Sequence, residues 1–131
     1  MSKIRVLLAD DSVQMLEYVR DFLSADSCEV VGAVADGQAA VVAAAQLQPD
    51  VVVLDLLMPI HNGIEAAERI LEAKPSAKIV LLTVEKDTDT CRAALEVGAC
   101  GYVLKPRLAS DLIPAIRLAK DGRRFVSPGC E

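Results

Sequence analysis

The sequence predicts a single α/β domain in which helices cover both faces of a doubly wound, five-stranded parallel β-sheet. Short apolar runs recur along the chain, segments with helical spacing of apolar residues follow them, and most of the runs end in polar residues. Alternation of strands and helices is typical of parallel βαβ units. Because crossovers between parallel strands are right-handed, the simplest strand order is 2-1-3-4-5.

The predicted strands are the apolar runs near residues 4–9, 29–34, 51–54, 78–82 and 101–104. Near-continuous hydrophobicity suits strands that are buried on both faces of a parallel sheet. In the expected order the first and third strands are neighbours, at the point where the strand order reverses. Open α/β sheets bind ligands at the carboxyl ends of the strands beside this point.

Five helices are predicted from the spacing of apolar residues. The first begins after the N-cap Ser12, and its apolar face consists of Met15, Leu16, Val19, Phe22 and Leu23. The others lie near residues 36–46, 63–73, 87–97 and 110–121. Pro75, Gly98 and Gly122 are stop signals for the last three helices. We expect Pro114 in or near the first turn of the fifth helix, where its missing N–H costs least.

Length and composition support one domain and exclude a membrane protein. With 131 residues, 53% of them hydrophobic, the chain can bury one core. No apolar run approaches the roughly 20 residues of a spanning helix, and the N-terminus lacks the apolar stretch of a signal peptide, so we expect a cytoplasmic protein. We interpret residues 1–131 as one domain and residues 122–131 as its C-terminal tail or the start of a linker.

The charge of the chain does not favour binding to nucleic acid. The net charge is −5 and there is no Trp, so both phosphate attraction and base stacking are weak. Basic residues near the end of a helix also suit the helix dipole. We therefore expect no direct DNA binding and interpret the late basic residues as a solvated or partner-binding surface, composed of Arg117, Lys120, Arg123 and Arg124.

The cysteines and the single histidine do not have the spacing of a metal site. Cysteines at positions 28, 91, 100 and 130 form no C-x-x-C pair, so we expect free thiols, with Cys130 the most exposed. His61 follows Met58-Pro59 in a loop, and no acid is placed by the pattern to orient it. We interpret His61 as a solvated loop residue.

Polar residues capable of chemistry follow four of the predicted strands. Asp10 and Asp11 follow the first, Asp55 the third, Thr83 the fourth and Lys105 the fifth. Each has an ordinary structural explanation when taken alone, such as a helix cap or a turn. Because the carboxyl ends of parallel strands share one edge, however, we expect all five side chains to converge.

The predicted cluster suits phosphoryl transfer to a carboxylate. Three clustered carboxylates repel one another, and a divalent cation such as Mg²⁺, which prefers oxygen ligands, would relieve that repulsion. Asp55 is then the candidate nucleophile, since a carboxylate can form an aspartyl-phosphate. Lys105 can supply a positive charge and Thr83 a hydrogen bond to the phosphoryl oxygens.

These residues resemble the receiver domains of two-component response regulators over essentially the whole chain. Asp10 and Asp11 match the paired metal-site acids of that family, and Asp55 matches its phosphoacceptor in the motif D-x-x-M-P-x-x-x-G, which ends at Gly63. The resemblance implies a flavodoxin-like receiver fold and bound Mg²⁺. It also implies that the backbone carbonyl of Leu57 completes the protein ligands of the metal.

The resemblance extends to the residues that respond to phosphorylation. Thr83 matches the switch hydroxyl, and Lys105-Pro106 matches the family lysine, which is followed by a cis peptide bond before proline. Tyr102 matches an aromatic residue that swings between outward and inward positions, although a half-buried strand aromatic is the ordinary interpretation. Residues 98–105 and 122–128 are similar to receivers of LuxR-type transcriptional regulators.

The resemblance implies a signalling function without catalytic turnover. The domain would accept a phosphoryl group from a sensor histidine kinase, lose it slowly by self-catalysed hydrolysis, and form a homodimer when phosphorylated. It would then regulate transcription through a DNA-binding domain outside this chain. The alternative is a single-domain regulator that acts by phosphotransfer or by protein interaction.

Other functions fit the sequence less well. A phosphatase of the haloacid-dehalogenase type needs D-x-D after its first strand, and Asp10-Asp11-Ser12 does not provide it. A flavodoxin needs a hydroxyl- and glycine-rich first loop, and a pseudo-receiver usually lacks one acid or the lysine. Within the receiver family, Val84 departs from the usual Ala or Ser, while Leu57 and Glu85 occupy positions that tune loss of the phosphoryl group.

Overall fold

The structure is a computed structural model that describes residues 3–129. The predicted strands and helices are all present, and their ends differ from the predicted ones by at most two residues. The elements are β1 (Ile4–Ala9), α1 (Val13–Ser24), β2 (Cys28–Val34), α2 (Gly37–Leu47), β3 (Val51–Asp55), α3 (Gly63–Ala73), β4 (Ile79–Thr83), α4 (Thr88–Glu96), β5 (Gly101–Leu104), a 3₁₀ turn (Lys105–Arg107), α5 (Leu108–Lys120) and β6 (Phe125–Val126).

Within the described residues the sheet has six parallel strands in the order β2-β1-β3-β4-β5-β6. The predicted order of the first five strands is confirmed, but the predicted number of strands is too low. The additional strand, β6, pairs with β5 through Gly101↔Phe125 and Tyr102↔Val126. It lies in the segment interpreted as a tail, so this part of the tail belongs to the sheet.

Two apolar layers hold the sheet between its helices. Alternate strand residues point to opposite faces, so Leu7 packs on one side with α2, α3 and α4, while Val6 and Leu8 pack on the other with α1 and α5. β3 and β4 are buried along their whole length. Burial on both faces explains why their sequences are almost continuously apolar.

The helices begin and end at residues suited to these positions. The Ser12 hydroxyl accepts a hydrogen bond from the Met15 amide at 3.2 Å, as predicted for the cap of α1. Asn62 and Glu65 form a reciprocal capping box at the start of α3. Gly98 follows α4 with a φ of 113°, a left-handed conformation that glycine adopts without steric cost.

Two expectations about proline are wrong. α5 begins at Leu108, directly after the 3₁₀ turn, so Pro114 lies inside the helix rather than in its first turn. The peptide bonds between the described residues are all trans, including the bond before Pro106. Pro106 lies in the first turn of the 3₁₀ segment, where a missing N–H leaves no hydrogen bond unmade.

Cys28 and Cys91 are buried, Cys100 is half-buried, and all three are free thiols. Cys130, predicted to be the most exposed cysteine, lies outside the described residues. Along residues 3–129, no helix combines the length and apolar character required to cross a bilayer.

Gly63, the last residue of the D-x-x-M-P-x-x-x-G motif, allows α3 to start against the end of β3. Its amide donates to the Leu56 carbonyl at 2.7 Å. A Cβ atom added at Gly63 would lie 2.5 Å from the Asp55 carbonyl oxygen and 2.8 Å from the Leu56 Cα atom. Both are backbone atoms, so a larger residue would displace the segment that carries Asp55.

We expect Gly63→Ala to lower the free energy of unfolding by about 1–3 kcal/mol, the usual cost of overpacking against atoms that cannot move. Gly32→Ala is a matched control, since its added Cβ would meet the Cδ1 atom of the flexible Leu47 side chain at 2.8 Å. Urea denaturation of both variants measures the difference. Equal stability losses would contradict a special backbone contact at Gly63.

Candidate functional site

The strand register brings the predicted acids to one point on the carboxyl edge of the sheet. Ala9 of β1 pairs with Leu54 of β3, so Asp10 and Asp55, the next residue of each chain segment, lie side by side. One carboxylate oxygen from each of Asp10, Asp11 and Asp55 lies within 4.8 Å of the others. The side chains of Asp10 and Asp55 are buried and that of Asp11 is exposed.

Lys105 reaches this acid cluster from the end of β5. Its Nζ atom lies 3.2 Å from Asp10 Oδ2 and 3.5 Å from Asp55 Oδ1. The other oxygen of Asp10, Oδ1, accepts a hydrogen bond from the Ser12 amide at 2.9 Å. Among the described residues, Lys105 is the cation that forms ion pairs with Asp10 and Asp55, and the carboxylate of Asp11 lies close to both acids.

The electrostatics of Asp55 reflect this imbalance. Burial raises the pKa of Asp55 above its ordinary value, and the negative charge of Asp10 raises it further. Lys105 and the amide of Leu57, which donates a hydrogen bond to the carboxylate, lower the pKa but do not offset the rise. A second positive charge beside Asp55 would therefore stabilise its ionised form.

The acid cluster has the chemistry of a site for a hard divalent cation. Carboxylate and carbonyl oxygens are the ligands that Mg²⁺ takes, and it commonly uses one or two carboxylates and keeps several waters. Asp10, Asp11 and Asp55 can supply the carboxylates, and the exposed position of Asp11 leaves room for water. The described residues of this cluster include neither His nor Cys, which zinc would prefer.

Thr83 and Tyr102 both bind the backbone of Glu85 in the loop between β4 and α4. The Thr83 hydroxyl accepts a hydrogen bond from the Glu85 amide at 3.2 Å. The Tyr102 hydroxyl donates to the Glu85 carbonyl at 2.8 Å. Tyr102 is fully buried, not half-buried, and its ring points inward. Sequence reasoning singled out these side chains, but it could not show that they contact the same peptide segment.

The loops around the acid cluster expose apolar side chains. Leu57 is 58% exposed, Val84 is 56% exposed, and Ile60 is 69% exposed. Ile60 also has a φ of 71°, an unusual and strained conformation for a β-branched residue. His61 is half-buried rather than solvated, because its backbone packs against Gly37 at the start of α2.

The basic cluster near the end of α5 is largely engaged within the domain. Arg117 lies 2.7 Å from Asp26 and Lys120 lies 3.7 Å from Asp50. Arg124 donates to the Leu95 carbonyl at 3.3 Å. The side chains of Arg117 and Lys120 are still 56% and 44% exposed, so the interpretation of a solvated or partner-binding surface stays a prediction.

A buried acid on α5 was not identified from the sequence. Asp111 is 5% exposed and accepts hydrogen bonds from Arg107, Ser110 and Ser127. The Arg107 partner could have been recognised from its i, i+4 spacing. The Ser127 partner could not, because it comes from the distant tail.

Comparison with known proteins identifies the family. Residues 6–117 match the response regulator receiver domain. The chain belongs to this family. It is 41% identical over 121 residues to the uncharacterized transcriptional regulatory protein YxjL of Bacillus subtilis, and 42% identical over 115 residues to the transcriptional regulatory protein PdtaR of Mycobacterium tuberculosis. These alignments cover 92% and 88% of this chain but 56% of each relative, so the chain spans about half the length of the curated relatives it matches.

Solved structures of receivers have the same fold. A LuxR-family response regulator from Aurantimonas sp. SI85-9A1 superposes with a TM-score of 0.94 at 33% identity, covering 98% of this chain and 93% of that one. The isolated receiver domain of RcsB from Salmonella enterica serovar Typhimurium, solved in the presence of the phosphomimetic BeF₃⁻, has a TM-score of 0.88 at 28% identity. It covers 98% of this chain and 96% of that one. The α/β receiver fold and the likeness to LuxR-family receivers are therefore confirmed.

Asp55→Asn should be more stable than the parent chain in metal-free buffer at neutral pH. The pKa of Asp55 is raised in the folded state, so ionisation of this group opposes folding. This loss of stability develops as the pH rises above 3.8, the ordinary pKa of an aspartate, and disappears at lower pH. Calorimetry should therefore show a higher melting temperature for the variant at pH ~7, and a difference that vanishes in acid.

Asp89→Asn is the matched control for this comparison. It removes the same charge from an exposed side chain that is paired with Arg92 at 3.7 Å on α4, where an ion pair contributes little. Its melting temperature should stay close to that of the parent. If Asp55→Asn were no more stable than Asp89→Asn at neutral pH, burial and the charge of Asp10 would not destabilise ionised Asp55.

Proposed function

We propose that this chain is a phosphorylation-switched signalling domain of a cytoplasmic two-component system, with Asp55 as its phosphoacceptor. The observation that carries the proposal is the convergence of Asp10, Asp11, Asp55 and Lys105 at one edge of a receiver fold. Under this proposal residues 1–131 form one receiver domain, and residues 122–131 are its tail or the start of a linker.

The proposed reaction is the transfer of a phosphoryl group from a phosphohistidine of a sensor histidine kinase. A carboxylate oxygen of Asp55 attacks the phosphorus, an O–P bond forms, and the P–N bond of the donor breaks. The imidazole nitrogen keeps the bonding electrons and takes up a proton. Lys105, already 3.5 Å from Asp55, supplies positive charge to the phosphoryl oxygens, and Thr83 donates a hydrogen bond.

Mg²⁺ would be held by Asp10, Asp11, Asp55 and the backbone carbonyl of Leu57. When bound, it supplies positive charge that offsets the repulsion between Asp55 and the incoming phosphoryl oxygens. The raised pKa of Asp55 supports this assignment, because burial and the charge of Asp10 together disfavour its ionised form more than Lys105 favours it. Asp55 must be ionised to act as a nucleophile.

Exposed apolar side chains beside the cluster suit docking of the kinase. Val13 begins α1 three residues after Asp10, Leu57 follows Asp55 by two residues, and each is more than half exposed. A kinase helix that covered these side chains would bring its phosphohistidine to the acid cluster and exclude water.

The domain accepts one phosphoryl group and loses it slowly, so it is a switch rather than an enzyme.

The proposed output runs through the loop between β4 and α4. A phosphoryl group on Asp55 gives Thr83 and Lys105 a new anion to contact, and a ligand shifts a conformational equilibrium by such differential contacts. Because Thr83 binds the amide of Glu85 and Tyr102 binds its carbonyl, movement at Thr83 would reach Tyr102 through this residue. We propose that this alters a surface used for homodimerisation and for transcriptional control by a DNA-binding domain.

Incubation of the chain with acetyl phosphate and Mg²⁺ should increase its intact mass by one phosphoryl group. Asp55→Asn should show no increase, and Asp11→Ala should react far more slowly because one carboxylate ligand of the metal is missing. Asp89→Asn is the charge-matched control and should react like the parent. A full mass increase in Asp55→Asn would remove Asp55 from its proposed role.

A further inference from the structure

Residues 125–127, which we call the tail segment, are hydrogen-bonded along β5. The Phe125 amide donates to the Cys100 carbonyl at 3.0 Å, and the Ser127 amide donates to the Tyr102 carbonyl at 2.9 Å. The next amide of β5 that faces the tail belongs to Leu104, and it donates to the Ser127 hydroxyl at 3.1 Å. A side-chain oxygen thus provides the last contact, where a continuing strand would use a backbone carbonyl.

The Ser127 hydroxyl also connects the tail segment to α5. Ser127 is fully buried, and its hydroxyl donates to Asp111 Oδ2 at 2.7 Å. Asp111 accepts further hydrogen bonds from Arg107 at 2.8 Å and from Ser110 at 2.9 Å. Burial raises the pKa of Asp111, but the hydrogen bonds from Ser127, Arg107 and Ser110 more than offset that rise, so its pKa lies below the ordinary value.

These contacts hold the backbone just before Lys105 and a side chain just after it. The Leu104 amide is bound by the Ser127 hydroxyl, and the Arg107 guanidinium, two residues after Lys105, donates to Asp111. The Lys105 side chain is 18% exposed and extends into the acid cluster from this short segment. Its ammonium position therefore depends on the Leu104 backbone, which Ser127 holds while its own hydroxyl is fixed by Asp111.

We propose that Ser127 is a positioning residue for Lys105 and that docking of the tail segment on β5 is coupled to the phosphoryl group on Asp55. The inference rests on the proposed function of Asp55. When the tail segment is docked, it holds Lys105 where the ammonium group meets the phosphoryl oxygens and so favours the phosphorylated state. Because such coupling is reciprocal, phosphorylation favours the docked tail segment by the same factor.

Ser127→Ala tests the positioning role, with Val126→Ala as the matched control. Val126 lies beside Ser127 in the tail segment and packs on the core, so its truncation removes an apolar contact but keeps the Ser127 hydrogen bonds that dock the segment. The initial rate of phosphorylation by acetyl phosphate with Mg²⁺ should fall roughly threefold or more in Ser127→Ala, since small displacements of a catalytic group cost rate. Val126→Ala should react at close to the parent rate.

A double-mutant cycle separates positioning from general destabilisation. In a Lys105→Met background, Ser127→Ala should cause no further loss of rate, because its effect passes through the missing ammonium. Equal rates for Ser127→Ala and the parent would overturn the inference, as would an equal fold-loss in both backgrounds. Failure of the parent itself to gain a phosphoryl group would instead overturn the proposed function.

Hydrogen exchange of the parent chain tests the coupling without any variant. Beryllofluoride mimics an aspartyl-phosphate, and with Mg²⁺ it should slow exchange of the Leu104 and Ser127 amides relative to Mg²⁺ alone. Shifts of the amides around Asp55 report that beryllofluoride has bound. Bound beryllofluoride with unchanged or faster exchange at Leu104 and Ser127 would overturn the proposed coupling.

Discussion

Burial of two carboxylates that repel each other, Asp10 and Asp55, is the constraint on which the rest of the site depends. Parallel pairing of β1 with β3 places Asp10 beside Asp55, and the buried position of both side chains denies them full hydration. Lys105 relieves part of this repulsion through contacts of 3.2 and 3.5 Å. The remaining excess of negative charge is the basis for the proposed Mg²⁺ site and for the proposed phosphorylation of Asp55.

Hydrogen bonds around the acid cluster connect it to other parts of the domain, so a change of charge at Asp55 can alter the structure at a distance. Thr83 binds the amide and Tyr102 binds the carbonyl of Glu85 in the β4–α4 loop. On the other side of β5, Ser127 binds the Leu104 amide next to Lys105 and is itself fixed by Asp111. The contacts of the β4–α4 loop and those of the tail meet at β5. The Tyr102 carbonyl of this strand also accepts a hydrogen bond from the Ser127 amide. The last paired strand of the domain is thus tied to the site by hydrogen bonds.

Most of the fold and the acid cluster could be predicted because the relevant signals are local. Runs of four or more apolar residues identify buried strands, and the polar residue at the end of each run then marks the carboxyl edge of the sheet. β6 was missed because Phe125 and Val126 are too few to show a periodic pattern. Pro114 was misplaced because the helix continues directly from the 3₁₀ turn, without a capping residue to mark its start.

The contacts that depend on distant parts of the chain could not be predicted. The complete burial of Tyr102 and its hydrogen bond to Glu85 follow from the path of the β4–α4 loop, which carries no distinctive pattern. The Ser127–Asp111 hydrogen bond joins residues 16 positions apart. A serine and an aspartate in these positions have ordinary exposed interpretations, and only the packing of β6 against β5 and α5 brings them together.

Magnesium titration of the ¹⁵N-labelled chain would show whether the acid cluster binds the cation. We expect saturable shifts of the amides of Asp10–Ser12 and Asp55–Leu57, and loss of these shifts in Asp11→Ala. Asp89→Asn, which removes an equal charge elsewhere, should titrate like the parent. Parent amides that do not respond to Mg²⁺, or an Asp11→Ala variant that binds it equally well, would show that the carboxylates are balanced without a metal.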